Sequence, residues 1–302
     1  MVLSELQSLI LPLLLTILAI LGAILMIALF LDFRKHRHQL ENNSWVKTGL
    51  IGFIANFLDT LGIGSFATET ALFKFFRQTE DRVIPGTLNV GNAIPVVAQA
   101  IIYTQIIEVE YITLITMLLA SVLGSILGAG IVSKLPEKKI QVTMGVALFV
   151  TAGFLVARAS GIMETSGEAT SLEGKKLAIG VAGNFLLGAL MTAGIGLYAP
   201  CMALVAMLGM SATTAFPIMM GSCAMLMPVA SIKFIREKAY NRRAAVAVTL
   251  TGVIGVLIAA YIVKSLPLEY LRWLVVIVVI YTAFTMLRSA MAKKEVREIP
   301  ID

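Results

Sequence analysis

The sequence predicts an all-α polytopic membrane protein with an inverted internal repeat. Each half reads as a re-entrant helical hairpin plus three transmembrane helices, with an extra N-terminal transmembrane helix in front. Three observations predict this: an apolar composition, long stretches without charge, and a chain that contains itself twice. Of 302 residues, 58% are hydrophobic and 14% charged, against about 45–50% and about 25% in soluble domains. The mean hydropathy is +0.91. These values exclude a soluble enzyme, a disordered chain and a nucleic-acid-binding domain. The net charge of +6 therefore bears on topology, through where the positive residues sit.

A crossing helix needs about 20 mostly apolar residues, and windows without charge locate them. Leu6–Leu31 comes first. With no basic n-region and no small-residue cleavage site, it reads as a retained span and not a signal peptide. Val83–Ile107, Tyr111–Ser133 and Ile140–Ala157 follow, then Leu177–Ile232, which runs 56 residues without a charge. Ala244–Val263 and Trp273–Leu287 complete the set; Arg272 and Arg288 flank the last and can snorkel. Thr48–Phe73 differs. It holds Asp59 and Glu69, is broken by Gly62-Ile63-Gly64 and has 26 residues, too few for two crossings.

The positive charges choose between a single crossing and a hairpin for that segment. If Thr48–Phe73 and Leu177–Leu208 each return to their own side, segments 32–47, 74–82, 133–139, 233–243 and 288–302 are cytoplasmic and carry 19 of the 24 Lys and Arg residues. A single crossing moves Lys74, Arg77, Arg82, Lys134, Lys138 and Lys139 outside and the acidic Glu108–Glu110 loop inside, against the positive-inside rule. The hairpin is preferred. It puts the N-terminus outside and the C-terminus in the cytoplasm of an inner-membrane, multi-pass protein.

The repeat is ordered. Asn56-Phe57-Leu58 recurs as Asn184-Phe185-Leu186, and Gly62-Ile63-Gly64 as Gly194-Ile195-Gly196. Pro85 matches Pro217, Gly124 matches Gly255, Ile131-Val132 matches Ile262-Val263, and Leu135-Pro136 matches Leu266-Pro267. The offsets lie between 128 and 132. The division is 1–47 for the N-terminal helix and basic loop, 48–158 for the first repeat and 159–176 for a linker. The second repeat is 177–290 and the tail is 291–302. Three crossings per copy is an odd number, so the second copy is inverted, an arrangement that places a substrate site near the midplane between the repeats.

Backbone that leaves a helix at membrane depth must be buried or line a wet cavity. After each Gly-Ile-Gly break a half-helix restarts, near Ser65 and Leu197, with amides that lack intrahelical partners and a positive dipole end. Two such ends facing each other form an anion site. A helix end contributes about 0.3–1 kcal/mol, about 2 when partly buried, whereas a bare ion in a medium of low dielectric costs tens of kcal/mol. The site must therefore stay wet or use polar donors. The substrate-binding candidates are Gly62, Gly64, Ser65, Thr68, Asn56, Asn89, Asn92, Asn184, Thr192, Gly194, Gly196 and Ser222, with Thr87 as a further donor. Asn56 and Asn184 either face the substrate or bond across helices. Gly124, Gly128, Gly252 and Gly255 read as packing residues.

Intramembrane carboxylates are functional candidates. Asp59 precedes the first break by a turn and is the first suspect for coupling to the proton gradient. Glu69 follows the break; it is either a coupling residue or an ion-pair partner of Lys74 or Arg77. Their counterparts in the second half are Leu187 and Cys201, so coupling is asymmetric. Cys201 and Cys223 read as small packing residues. No catalytic residue, metal site or cofactor is expected beyond a coupled proton or cation. Both histidines, His36 and His38, lie in a basic loop, so a His-Glu-x-x-His protease site is missing.

On these residues the sequence resembles the sulfite exporter TauE/SafE family. The resemblance is carried by Gly52-x3-Asn56 through Gly64, by Gly86-Thr87-Leu88-Asn89-Val90-Gly91-Asn92, and by Gly124-x3-Gly128 with Lys134-Leu135-Pro136 and its echo Gly255 and Leu266-Pro267. It covers residues 47–290. It implies a multi-pass inner-membrane carrier that exports sulfite, organosulfonates or related small anions. Many members continue the first Gly-Ile-Gly with more glycines. Here Ser65-Phe66 follow, and Leu197-Tyr198 follow the second break. The alternatives are a carrier or channel for a different small solute, and a non-transporting scaffold. The expected partners are a small anion and the lipid bilayer, without nucleic acid; a homo-oligomer is left open.

Overall fold

A computed structural model describes residues 2–103, 109–161, 167–261 and 269–291. They form eleven α-helices: α1 Val2–His36, α2 Trp45–Thr60, α3 Ser65–Phe76, α4 Ile84–Tyr103, α5 Tyr111–Val132, α6 Glu137–Ala159, α7 Gly174–Met191, α8 Tyr198–Met207, α9 Ala212–Arg236, α10 Arg242–Tyr261 and α11 Glu269–Met291. No strand occurs among the described residues, where the β pairing is an isolated Ala169–Met210 bridge. The repeat matches at Ile262-Val263 and Leu266-Pro267, Glu108 and the 292–302 part of the tail lie outside the described residues.

Five helices among the described residues are long and apolar enough to cross a membrane: 11–36, 111–132, 137–157, 217–236 and 242–261. Seven crossings were expected. Of the other two, α4 has 20 residues and α11 has 23, each enough for the roughly 30 Å of a bilayer core. Asn89, Asn92 and Gln99 dilute the apolarity of α4, and all three are buried. Helix α11 carries the apolar run Trp273–Leu287 between Arg272 and Arg288. By contrast α2, α3 and α8 have 16, 12 and 10 residues, too few to cross alone.

Both breaks are built alike. Gly62 donates its N–H to Asp59 O (2.8 Å) and Ile63 to Leu58 O (3.0 Å); Gly194 donates to Met191 O (3.0 Å) and Ile195 to Leu190 O (3.4 Å). This is the Schellman pattern, which needs a left-handed residue at its fifth position. Gly62 and Gly194 supply it, with φ of 85° and 96°. The recurring Gly-Ile-Gly is thus a helix stop used twice.

The helices pack in pairs that exchange when the two halves of the chain are swapped. Helix α2 packs on α10 and α7 on α5; α3 meets α11 and α8 meets α6; α4 meets α10 and α9 meets α5; α4 also meets α9, and α6 meets α11. Glycines make the first of these close. A Cβ on Gly124 would lie 1.9 Å from Phe185 O, and one on Gly255 would lie 2.5 Å from Phe53 O. Without a hydrophobic drive between helices in lipid, such close backbone approach is the main source of association. Helix α1 packs against α9 and α4. It is tied at one end by Asp32, which accepts from Arg242 Nε (2.7 Å) and Tyr240 Oη (2.6 Å). Burial, then the Asp32 bond, pushes the Tyr240 hydroxyl well up, so it stays a donor.

The basic segments gather at one end of the bundle. Asn43 Nδ2 donates to Gln78 O (3.1 Å), Ser44 N to Gln78 Oε1 (2.9 Å) and Arg243 Nη1 to Asn43 O (2.6 Å). Lys74 pairs with Asp81, which also accepts from Gln141 Nε2 (2.9 Å). The start of α2 and the end of α3 are thus bonded together. At the other end Glu110 N donates to Thr170 O (3.2 Å), Ala169 N to Gly209 O (3.3 Å) and Ser211 N to Ala169 O (3.0 Å). There residues 167–173 join the start of α5 to the end of α8.

Gly124→Ala should lower stability by about 1–3 kcal/mol through overpacking against α7. Gly153→Ala, where an added Cβ meets nothing within 4 Å, should not. Thermal unfolding of the detergent-purified protein measures both.

Candidate functional site

The two breaks meet. Gly64 and Ser65 from the first and Gly196 and Leu197 from the second line one buried cavity of about 20 Å³, room for about one water. A Cβ on Gly196 would sit 3.9 Å from Phe66 Cβ. Asp59, Phe66, Val96, Met191, Tyr198 and Cys223 complete the wall. A solute of four or more heavy atoms does not fit in a cavity of this volume.

The start of α3 is not bare, contrary to expectation. Asp59 Oδ1 accepts the Ser65 amide at 2.6 Å. The reason is local: the Schellman stop folds the chain back, which brings a side chain from the last turn of α2 onto the first amide of α3. The carboxylate is 2% exposed and occupies the dipole end that an anionic solute would use. The start of α8 has no such partner. Its N-cap residue, Leu197, makes no side-chain capping bond, and Pro200 removes one of the first-turn donors.

A polar chain joins the halves here. Gln99 Nε2 donates to Asp59 Oδ2 (3.0 Å) and Thr60 Oγ1 (2.9 Å), while Tyr198 Oη donates to Gln99 Oε1 (2.7 Å). Helices α2, α4 and α8 are linked through one amide. Neither Gln99 nor Tyr198 was singled out in the sequence as a site residue. Gln99 had a readable signal, a lone buried-type amide in an apolar span like Asn89 and Asn92. Tyr198 was visible only as a departure after the second break.

The other candidates lie outside this cavity. Asn56 Nδ2 donates to Asn92 Oδ1 (2.7 Å), and Asn184 Nδ2 to Ser222 Oγ (2.8 Å) and Met117 O (2.8 Å). Both asparagines bond across helices, at repeat-equivalent places. Asn89 donates to Pro85 O, Thr192 to Ala189 O, Thr68 to Gly64 O and Thr87 to Val83 O. Gly62 and Gly194 form the stops behind the cavity. Glu69 is not paired with Lys74 or Arg77. It is fully buried and accepts from Asn92 Nδ2 (2.6 Å), while Lys74 is taken by Asp81. Cys223, expected to serve only packing, lines the cavity with Sγ 3.7 Å from Met191 Sδ.

Long apolar helices around two broken ones define a multi-pass membrane protein. The chain belongs to the sulfite exporter TauE/SafE family, whose family model matches residues 1–155 and 177–301. That family comprises membrane transporters of sulfur-containing anions and not enzymes. No curated protein and no solved structure matches the chain.

Gln99→Leu removes the donor to Asp59 Oδ2 and Thr60 Oγ1 and the acceptor of the Tyr198 hydroxyl, at a cost of about 1–3 kcal/mol for a buried group left short of a bond. Tyr198→Phe removes one hydroxyl and leaves the Gln99 bonds to Asp59 and Thr60 in place, so its melting temperature should fall less than that of Gln99→Leu.

Proposed function

We propose that the protein exports a small sulfur oxyanion or organosulfonate across the inner membrane by alternating access between two inverted repeats. The observation that carries this reading is the shared cavity at Gly64 and Gly196, where the uncapped start of α8 meets the capped start of α3. The exchange of helix pairings between halves supports the repeat. The bonded ends of α2 and α3 support a re-entrant first hairpin, and the gathering of basic segments at that end supports a cytoplasmic assignment. In this topology the protein crosses seven times, with α2–α3 and α7–α8 dipping in from opposite faces.

Asp59 is the coupling residue in this reading, and its contacts suggest how. It is a tethered anion on the α3 amides. An arriving anion about 4 Å away would be repelled by roughly 4 kcal/mol at an effective dielectric constant near 20. Protonating Asp59 removes that repulsion and frees the Ser65 amide. Proton and substrate therefore bind together. A monoanion with one proton is electroneutral, so its own concentration gradient must drive it outward against an acidic exterior. A dianion with one proton carries a net negative charge, and the inside-negative potential drives it outward with about 2.3 kcal/mol per 100 mV. Ser65, Tyr198 and water supply the hydrogen bonds that the helix dipoles alone cannot. Glu69 and Asn92 form a second buried site for a proton behind the cavity.

Proteoliposomes loaded with methanesulfonate, whose charge is constant over the working range, should show faster flux as the loading-side pH falls. Asp59→Asn should transport without that pH dependence; an unchanged pH profile in this variant overturns the coupling role. Competition with sulfite, sulfate, taurine, sulfoacetate and chloride reports the substrate class. Glu80→Cys and Lys134→Cys should be labelled by an impermeant maleimide only from the cytoplasmic side, and Lys175→Cys only from outside. The reverse pattern rejects the topology.

A further inference from the structure

A second, larger cavity lies on the periphery. It is a groove of about 530 Å³ between α1 and α5, floored by α9, within the range typical of ligand sites. Leu21 and Ile24 form one wall, Ile126 the other, and Val229 and Ile232 the floor. Gly130 opens the second wall, since a Cβ there would meet nothing within 4 Å. At one end the lining turns cationic, with Lys233 and Arg236 in the last turn of α9.

We propose that this groove is a binding site for one anionic phospholipid. An acyl chain lies along the apolar walls, and the phosphate sits against Lys233 and Arg236. Charge complementarity selects this occupant. Arg236 makes no hydrogen bond or ion pair among the described residues, and its fork of donors suits a phosphate. Lys233 Nζ holds Glu237 Oε1 at 2.7 Å and keeps two further protons to donate. Lys233, with a smaller contribution from Lys134, holds the Glu237 carboxyl below the ordinary range. The two cations of the lining therefore outnumber the one acid that Lys233 holds. A neutral lipid would leave Arg236 unpaired, and a free phosphate would leave the apolar walls empty. Basic pockets between membrane helices at a cytoplasmic face are sites for anionic headgroups, and the proposed topology puts this end there. The site itself does not depend on the transport reading, because its test reads lipid retention alone.

Native mass spectrometry of the delipidated protein, titrated with phosphatidylglycerol or phosphatidylcholine, tests the proposal. The wild type should retain one phosphatidylglycerol with roughly thirtyfold preference over phosphatidylcholine, from two basic contacts. Lys233→Gln with Arg236→Gln should abolish the preference, and Lys175→Gln with Lys176→Gln, at the other end of the bundle, should keep it. Gly130→Leu fills the groove and should lose the bound lipid with every charge in place; its melting temperature reports folding. Equal retention of both lipids by the wild type, or unchanged phosphatidylglycerol retention in the Lys233/Arg236 variant, overturns the proposal whatever Gly130→Leu does. Displacement of the lipid by inorganic phosphate alone would also overturn it, since that makes the site one for a free anion.

Discussion

The bilayer interior supplies no water to a broken helix, so each interruption must be satisfied by the protein itself. The bond from the Ser65 amide to Asp59 Oδ1, at 2.6 Å, is the contact on which the site depends. It lets α3 begin at depth, directly after a glycine stop. It also buries a carboxyl group beside the cavity. Gln99 holds the other carboxyl oxygen and reaches Tyr198 on α8, so the group is fixed in place and linked to the second break.

The two breaks have the same stop and different starts. Both use a left-handed glycine, at Gly62 and Gly194. Only the first is followed by a carboxylate bond, because Asp59 has Leu187 as its counterpart. The pseudo-symmetry of the packing is therefore not carried into the chemistry. One break places a carboxyl on the first amide of its half-helix, and the other has Leu197 and Pro200 at the same place.

The scaffold holds this arrangement through small residues. Gly124 and Gly255 bring α5 onto α7 and α10 onto α2 so closely that backbone meets backbone. Each broken unit is thus clamped by a helix of the same two-helix exchange, and the asparagines Asn56 and Asn184 add a bond from each unit to its own following span. These amides were legible as paired residues. Their alternatives, solute contact or cross-helix bond, were separable only in three dimensions, because both need the same residue type at the same depth.

Of the residues chosen from the sequence, Gly64, Ser65, Gly196 and Asp59 reach the cavity. Phe66, Val96, Met191, Leu197 and Cys223 reach it too, and as apolar residues in an apolar chain they carry no local signal. The sequence by itself determined the membrane class, the two stops and the end at which positive charge collects, since each follows from composition, spacing or a glycine's backbone freedom. Only the tertiary structure decided that the α3 end is occupied by Asp59, that Glu69 bonds Asn92 and not Lys74, and that Gln99 joins the halves. Those outcomes depend on which side chains the folded-back chain brings within hydrogen-bond reach, and distance along the chain does not encode it.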